Sequence, residues 1–185
     1  MSDPASQRIL EATIEVLRRG GISAVSMRAV AAEADVALGL INYHFDDKTG
    51  LIAATLRLLG EQDAALVAPT EGLPADEQLR QALRHVADAE FLRSDYLGLR
   101  LHLWSLAPIE PAFEAINREA QIRYRQGLGR LIAAARPDLW PADVEHRAAD
   151  ILVIQNGMWV TSILNVDNEA IERSVARCEA IAFGA

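Results

Sequence analysis

VSMRAVAAEADVALGLINYHFDDKTGLIAATL, residues 25–56, is the stretch whose reading decides the fold. It divides into two short helices joined by a tight turn, a polar break, and the start of a longer helix. Ser26 is placed to cap a helix whose inner face is Met27, Val30 and Ala31. Alanines at 29, 31, 32 and 34 let neighbouring helices approach closely. Asp35 and Val36 make the turn, and the next helix runs from about Ala37 to Tyr43. Asp46 and Asp47 supply an N-cap and first-turn acids for a helix from about Lys48 to Leu66. Two short helices so arranged form a helix-turn-helix, which reads DNA by laying its second helix in the major groove.

Upstream, Ile9, Leu10, Ala12, Thr13, Val16 and Leu17 share one helical stripe that begins near Pro4–Ser6 and stops at Gly20-Gly21. Downstream, APTEGLPADEQ (residues 68–78) reads as a linker with two prolines, and the remainder is helical in period. Helices are expected near Pro74–Phe91, Asp95–Ser105, Pro111–Ala135, Pro141–Leu164 and Asn168–Phe183. The breaks LRS (92–94), APIEP (107–111), RPDLWP (136–141) and NVDN (165–168) each carry polar or proline turn chemistry. Pro111 and Pro141 suit first-turn positions, where a missing N–H costs nothing. No alternating strand pattern competes. The fold class is therefore all-α, with about nine helices.

Composition narrows the function classes. An apolar fraction of 51% and a charged fraction of 24% are ordinary for a globular chain able to bury a core. The one cysteine, Cys178, excludes an intramolecular disulfide and fits a reducing compartment. Arg8, Glu11 and Glu15 interrupt any N-terminal signal core, and no uninterrupted apolar run is long enough to span a bilayer. A cytoplasmic protein with no membrane partner is expected. The net charge of −8 weighs against nucleic acid, because affinity draws on cations displacing counterions from phosphate. Within residues 1–50, Arg8, Arg18, Arg19, Arg28 and Lys48 face seven acidic side chains. Modest non-specific affinity and a shallow salt dependence follow, and tight binding needs a dimer.

The second short helix holds the sharpest candidates. Leu38, Leu40 and Ile41 surround Gly39, whose missing side chain permits close approach to a sugar-phosphate backbone. Asn42 can pair with an adenine edge, while Tyr43 and His44 can position phosphates. Lys48, the only lysine, lies at a helix start, where free N–H groups add to its attraction for phosphate. Arg28 can reach a base or the backbone. With Ala37 at the helix start, the DNA-contacting set is Arg28, Ala37, Leu38, Gly39, Leu40, Asn42, Tyr43, His44 and Lys48. Phe45 belongs to the core. The same pattern also fits a helical hairpin that binds nothing.

The string MRAVAAEADVALGLINYHFDDKTGLIAATL (27–56) resembles the N-terminal domain of the TetR family of repressors. The family pattern is an apolar-Ala-x-x-Ala-Gly-Val turn, a short helix closing on Tyr and His-Phe, then Lys followed by Leu. Val30, Ala31, Ala34, Val36, Gly39, Tyr43, His44, Phe45, Lys48 and Leu51 occupy those positions. Asp35 stands where the turn glycine is usual, and tolerates left-handed geometry. Leu40 replaces a small or hydroxyl residue. Farther on, the segments around LRLHLW and IQNGMWVTSIL are similar to the BetI-type branch, which includes choline-responsive repressors; Asn156 stands for its usual Asp. The resemblance implies a DNA-binding domain over residues 1–47 and an effector-binding and dimerisation domain over 48–185.

A quaternary ammonium effector wants aromatic faces, each cation–π contact being worth roughly 0.5–2 kcal/mol. Phe91, Trp104, Phe113, Tyr124 and Trp159 are the candidate walls, with His102 and Asn156 as hydrogen-bonding groups. Trp104 and Trp159 at helical spacing equally suit core filling, and a lipophilic effector remains an alternative. His85, His102 and His146 stand too far apart to make a metal-ligand pair, and no catalytic constellation or phosphate loop appears, so no metal, cofactor or enzymatic activity is expected. Cys178 is expected at a buried interface. In residues 144–165, Ala148, Ile151, Leu152, Val153, Ile154, Met158, Val160, Ile163 and Leu164 place apolar groups on more than one helix face. The extra face fits a homodimer through the last two helices, with two recognition helices meeting a palindromic duplex. The expected function is a ligand-responsive transcriptional repressor. The alternative is a helical small-molecule-binding or scaffolding protein with a degenerate DNA-binding head.

Overall fold

The computed structural model describes residues 3–89, 91–108, 110–165 and 167–184, with the side chains at 94 and 95 left aside. Ile109 and Val166, inside two of the expected breaks, lie outside the described residues. Among those described, nine helices and no strand form. They are α1 (Pro4–Ala24), α2 (Met27–Ala34), α3 (Leu38–Phe45), α4 (Lys48–Ala65), α5 (Ala75–His85), α6 (Ser94–Leu106), α7 (Pro111–Ala135), α8 (Pro141–Leu164) and α9 (Asn168–Phe183). The chain packs as two compact units. One comprises Met1–Glu61 and Gly98–Arg118, the other Gln62–Leu97 and Glu119–Ala185.

In the first unit, the stripe read from the sequence is the buried one: Ile9, Leu10, Ala12, Thr13, Val16 and Leu17 all lie inside. The apolar members of that stripe join Val30, Ile41, Phe45, Leu51 and Leu56 in one cluster, completed by Leu103 and Phe113 from the same unit. The double glycine breaks α1 as its chemistry demands. Gly21 takes φ 64 and ψ −169, which kinks α1, and one short helical segment to Ala24 follows before Val25. A side chain at Gly21 would also meet His102, whose Nε2 lies 3.1 Å from where a Cβ would stand. Ser26 caps α2 by accepting from the Ala29 N–H at 3.1 Å, and Asp35 ends it in the left-handed region at φ 50. Arg8 clamps that end, its Nη2 donating to the Ala34 carbonyl at 2.7 Å.

The second unit is built on α8. Its buried residues Val144, Ala148, Ile151, Gln155, Met158 and Ser162 recur at alternating steps of four and three, one inward stripe. The parallel stripe Val153, Gly157, Val160 and Leu164 faces outward, with Val153 at 70% and Leu164 at 84% exposure. α9 lies on α8, and its C-terminal carbonyls are held by arginines. Arg147 Nη1 donates to Ile181 O at 2.8 Å and Gly184 O at 2.7 Å, and Arg136 Nη1 to Phe183 O at 2.7 Å. Arg136 also grips Asp138 through two bonds, Nε to Oδ1 at 2.9 Å and Nη2 to Oδ2 at 2.7 Å. This holds the exposed carboxyl at about 2. Cys178 is buried within the protomer itself, which corrects its expected place at an interface, and burial pushes its thiol up to about 11.

One helix is shorter than its periodicity suggests. The pattern predicts a helix to Phe91, yet α5 ends at His85. The reason is tertiary: the Val86 carbonyl accepts from Trp159 Nε1 at 2.9 Å, and Asp88 folds back onto His85 Nδ1. The first bond is tertiary and the second local, and between them the backbone tightens into turns, with the Ala87 N–H donating to Arg84 O at 2.9 Å and the Asp88 N–H to His85 O at 3.0 Å.

Candidate functional site

α3 is held by its inner face. Ile41 is fully buried and Phe45 nearly so, while Leu40 is half-buried and packs against the same core. Residues three and four apart are neighbours on a helix, so the free surface reduces to two adjacent rows: Leu38 with Asn42, and Gly39 with Tyr43. Tyr43 is 81% exposed and Leu38 36%. Asn42 is exposed, and its side chain makes no hydrogen bond among the described residues. A Cβ at Gly39 would find nothing within 4 Å, so the protein's own packing does not demand glycine there. Ala37, the N-cap, is exposed and provides no side-chain cap, leaving the first N–H groups of α3 open.

The junction after α3 fixes how this surface is presented. Asp46 takes φ 55 and ψ −62, a left-handed conformation that costs a non-glycine residue about 1–3 kcal/mol. It centres a three-residue turn in which the Asp47 N–H donates to the Phe45 carbonyl. Asp47 then caps α4, its Oδ1 accepting from the Gly50 N–H at 2.8 Å. A side chain on Gly50 would collide with that Phe45 carbonyl, so glycine is required by close approach. These contacts give a physical reason for FDDKTG, residues 45–50. The sequence pattern assigns Asp46 a capping role with Asp47; in the structure Asp47 alone caps α4 and Asp46 makes the turn, while Gly50 carried no sequence signal beyond the polar break.

The charges of the head are mostly spent internally. Arg8 binds the end of α2, Arg18 pairs with Glu15 at 2.6 Å, and Arg19 pairs with Glu33. Lys48 Nζ donates to the Ile22 carbonyl at 3.1 Å, which leaves two of its three ammonium hydrogens available. Arg28 is exposed, with no hydrogen bond or ion pair among the described residues. His44 is half-buried, its Nε2 3.4 Å from Asp3 Oδ2, and Asp3 also caps α1. The acidic total thus coexists with a recognition face that carries no acid.

The proposed effector residues fall into both units. In the first, Phe113 is core, His102 is exposed and lies over Gly21, and Trp104 is half-buried with the Arg100 guanidinium 5.4 Å from its ring. In the second, Phe91 meets Tyr96 edge-on at 5.3 Å, and Tyr96 meets Trp159 at 6.3 Å. Tyr124 is buried and donates to Gln155 Oε1 at 2.9 Å, and Asn156 reaches Gln121 at 3.4 Å. Gln155, 3% exposed, keeps its Nε2 buried without a hydrogen-bond partner. It was missed because it sits beside Asn156 in a polar pair, though its place in the inward stripe of α8 would have found it.

A helix-turn-helix with an exposed, uncharged recognition face defines the head of a DNA-binding regulator. Residues 9–55 match the bacterial regulatory proteins of the tetR family, and residues 75–182 match the C-terminal region of BetI-type transcriptional repressors. The chain belongs to the TetR family, within its BetI-type group. It is 26% identical to the HTH-type transcriptional regulator BetI of Paraburkholderia phymatum over 171 residues, covering 90% of this chain and 85% of that protein. In fold it is similar to a TetR transcription regulator from Haloarcula marismortui, with TM-score 0.80, 23% identity and 96% of each chain covered. It is also similar to a regulator from Saccharomonospora viridis solved in complex with choline, with TM-score 0.77, 19% identity, and 97% and 96% of the two chains covered. This protein is therefore a ligand-responsive DNA-binding transcriptional repressor, not an enzyme. No described helix is long and apolar enough to cross a membrane.

Proposed function

We propose that this repressor works as a cytoplasmic homodimer on a palindromic operator and leaves it when a small cationic organic effector binds. The observation that carries the reading is the free face of α3, where Leu38, Gly39, Asn42 and Tyr43 stand clear around a buried Ile41. Residues 1–47 bind DNA, with Arg28, Ala37 and His44 flanking that face and Lys48 adding a contact from the first residue of α4. Residues 48–185 bind effector and partner.

The dimer forms through α8 and α9. Val153, Val160 and Leu164 expose an apolar stripe, and Gly157 between them has open space where a Cβ would stand, so a second helix can approach closely. Two heads then meet half-sites about one DNA turn apart, roughly 34–36 Å. The effector lies against Phe91, Tyr124, Asn156 and Trp159 of the second unit. Buried Gln155 Nε2 supplies a donor for a ligand oxygen, and an aromatic lining favours a quaternary ammonium over a purely lipophilic compound. The choline bound by the Saccharomonospora protein supports that preference. Release is a population shift: effector favours a dimer whose heads are wrongly spaced, and its maximum effect equals its differential affinity for the two states. α4, which continues the chain from α3, is the carrier of the change.

The test is a gel shift with a duplex spanning the region upstream of the protein's own coding sequence. Specific retardation at low salt, lost in the double variant Asn42→Ala/Tyr43→Ala, is expected, and millimolar choline should release it. Absence of specific retardation would sink the operator reading, and retardation indifferent to choline would sink the effector reading alone.

A further inference from the structure

We infer that α3 reads A·T base pairs, Leu38 through the methyl group of a thymine and Asn42 through the edge of an adenine. The inference rests on the placement of α3 in the major groove proposed above. The N-terminal residues of a recognition helix meet base edges. Leu38 opens α3, and Asn42 lies one turn on in the same row.

Each side chain admits few partners. Thymine is the only base that presents a methyl group in the major groove, and an apolar contact is the only readout a leucine can make there. Leu38 is a large apolar side chain kept at 36% exposure at the tip of a helix whose other apolar residues turn inward. Asn42 has its carbonyl and amide arms uncommitted, which matches the paired acceptor and donor of adenine. Guanine is read best by an arginine or lysine fork, and α3 (LGLINYHF) contains neither. Gly39 and Tyr43 form the neighbouring row: the open space at Gly39 lets the sugar-phosphate chain come close, and the Tyr43 hydroxyl meets a phosphate. The two available cations, Arg28 and Lys48, belong to α2 and α4 and go to phosphates. Specificity is then carried by a short A·T step in each half-site.

The experiment selects bound duplexes from a random-sequence library with the full-length protein, then repeats binding on the enriched site with modified bases. A·T pairs at adjacent positions of each half-site are expected. Replacing the contacted thymine by uracil should cost about fourfold per half-site, the worth of one buried methyl, and the Leu38→Ala variant should not notice the change. Replacing the contacted adenine by 7-deazaadenine should weaken the wild type and leave Asn42→Ala unaffected. Both variants alter exposed positions, and circular dichroism checks that they fold. Enrichment of G·C at the positions that Leu38→Ala and Asn42→Ala relax would overturn the inference, as would indifference of the wild type to uracil. A library that yields no motif would overturn the DNA-binding reading and this inference together.

Discussion

Raising the salt concentration should cost this repressor unusually little affinity for its operator, and the structure sets the size of the effect. Each head has two cations able to face DNA: Arg28, which has no internal partner among the described residues, and Lys48, which keeps two ammonium hydrogens beyond its bond to Ile22. Arg8, Arg18 and Arg19 are engaged within the head. A dimer thus neutralises about four phosphates, which gives a slope of log K against log salt of about −3.6. Between 50 and 200 mM salt that slope amounts to about a 150-fold loss of affinity. Arg28→Ala removes one contact per head, so its slope falls to about −1.8 and its loss over the same range to about 12-fold. Fluorescence anisotropy with a labelled operator duplex at four salt concentrations measures both numbers. A wild-type slope steeper than about −6 would refute the reasoning, because the internally paired arginines would then have to be turned toward DNA.

Three further outcomes follow from single residues. Gly39→Ala should stabilise the protein by up to about 0.5–1 kcal/mol in urea unfolding, since nothing crowds the site, yet weaken operator binding in a gel shift. Gly50→Ala should do the reverse to the fold, costing about 1–3 kcal/mol in the same unfolding assay as its Cβ pushes on the Phe45 carbonyl. Cys178, held up to about 11, should resist a disulfide reagent at pH 8 until the protein unfolds. The neutral buried thiol contributes its full stability below its ordinary value near 9, and that contribution fades as the pH rises from there to about 11. A Cys178→Ala variant should lack that alkaline loss.

What could be read from the sequence was what local chemistry decides. Pro111 and Pro141 start α7 and α8 where first-turn prolines belong, and Ser26 caps α2 through its own hydroxyl. The candidate DNA face was legible because period alone separates Ile41 and Phe45 from Asn42 and Tyr43. Leu40 was not, since its half-buried contact depends on packing rather than spacing. The early end of α5 was invisible for a related reason: it depends on Trp159, 73 positions away in sequence. The turn at Asp46 escaped because aspartate there signals a helix cap, and Asp47 alone takes that role. His102 adds a contact that no sequence pattern announces: its ring lies over Gly21, with Nε2 3.1 Å from where a Cβ there would stand.

The central claim, that two copies of this helix-turn-helix read one operator, is tested most directly by a hydroxyl-radical footprint of the protein on the duplex it retards. We expect two protected patches of inverted sequence, centred about one helical turn or a multiple of it apart, both lost in Asn42→Ala/Tyr43→Ala. A single protected patch, or protection that survives that double variant, would contradict it.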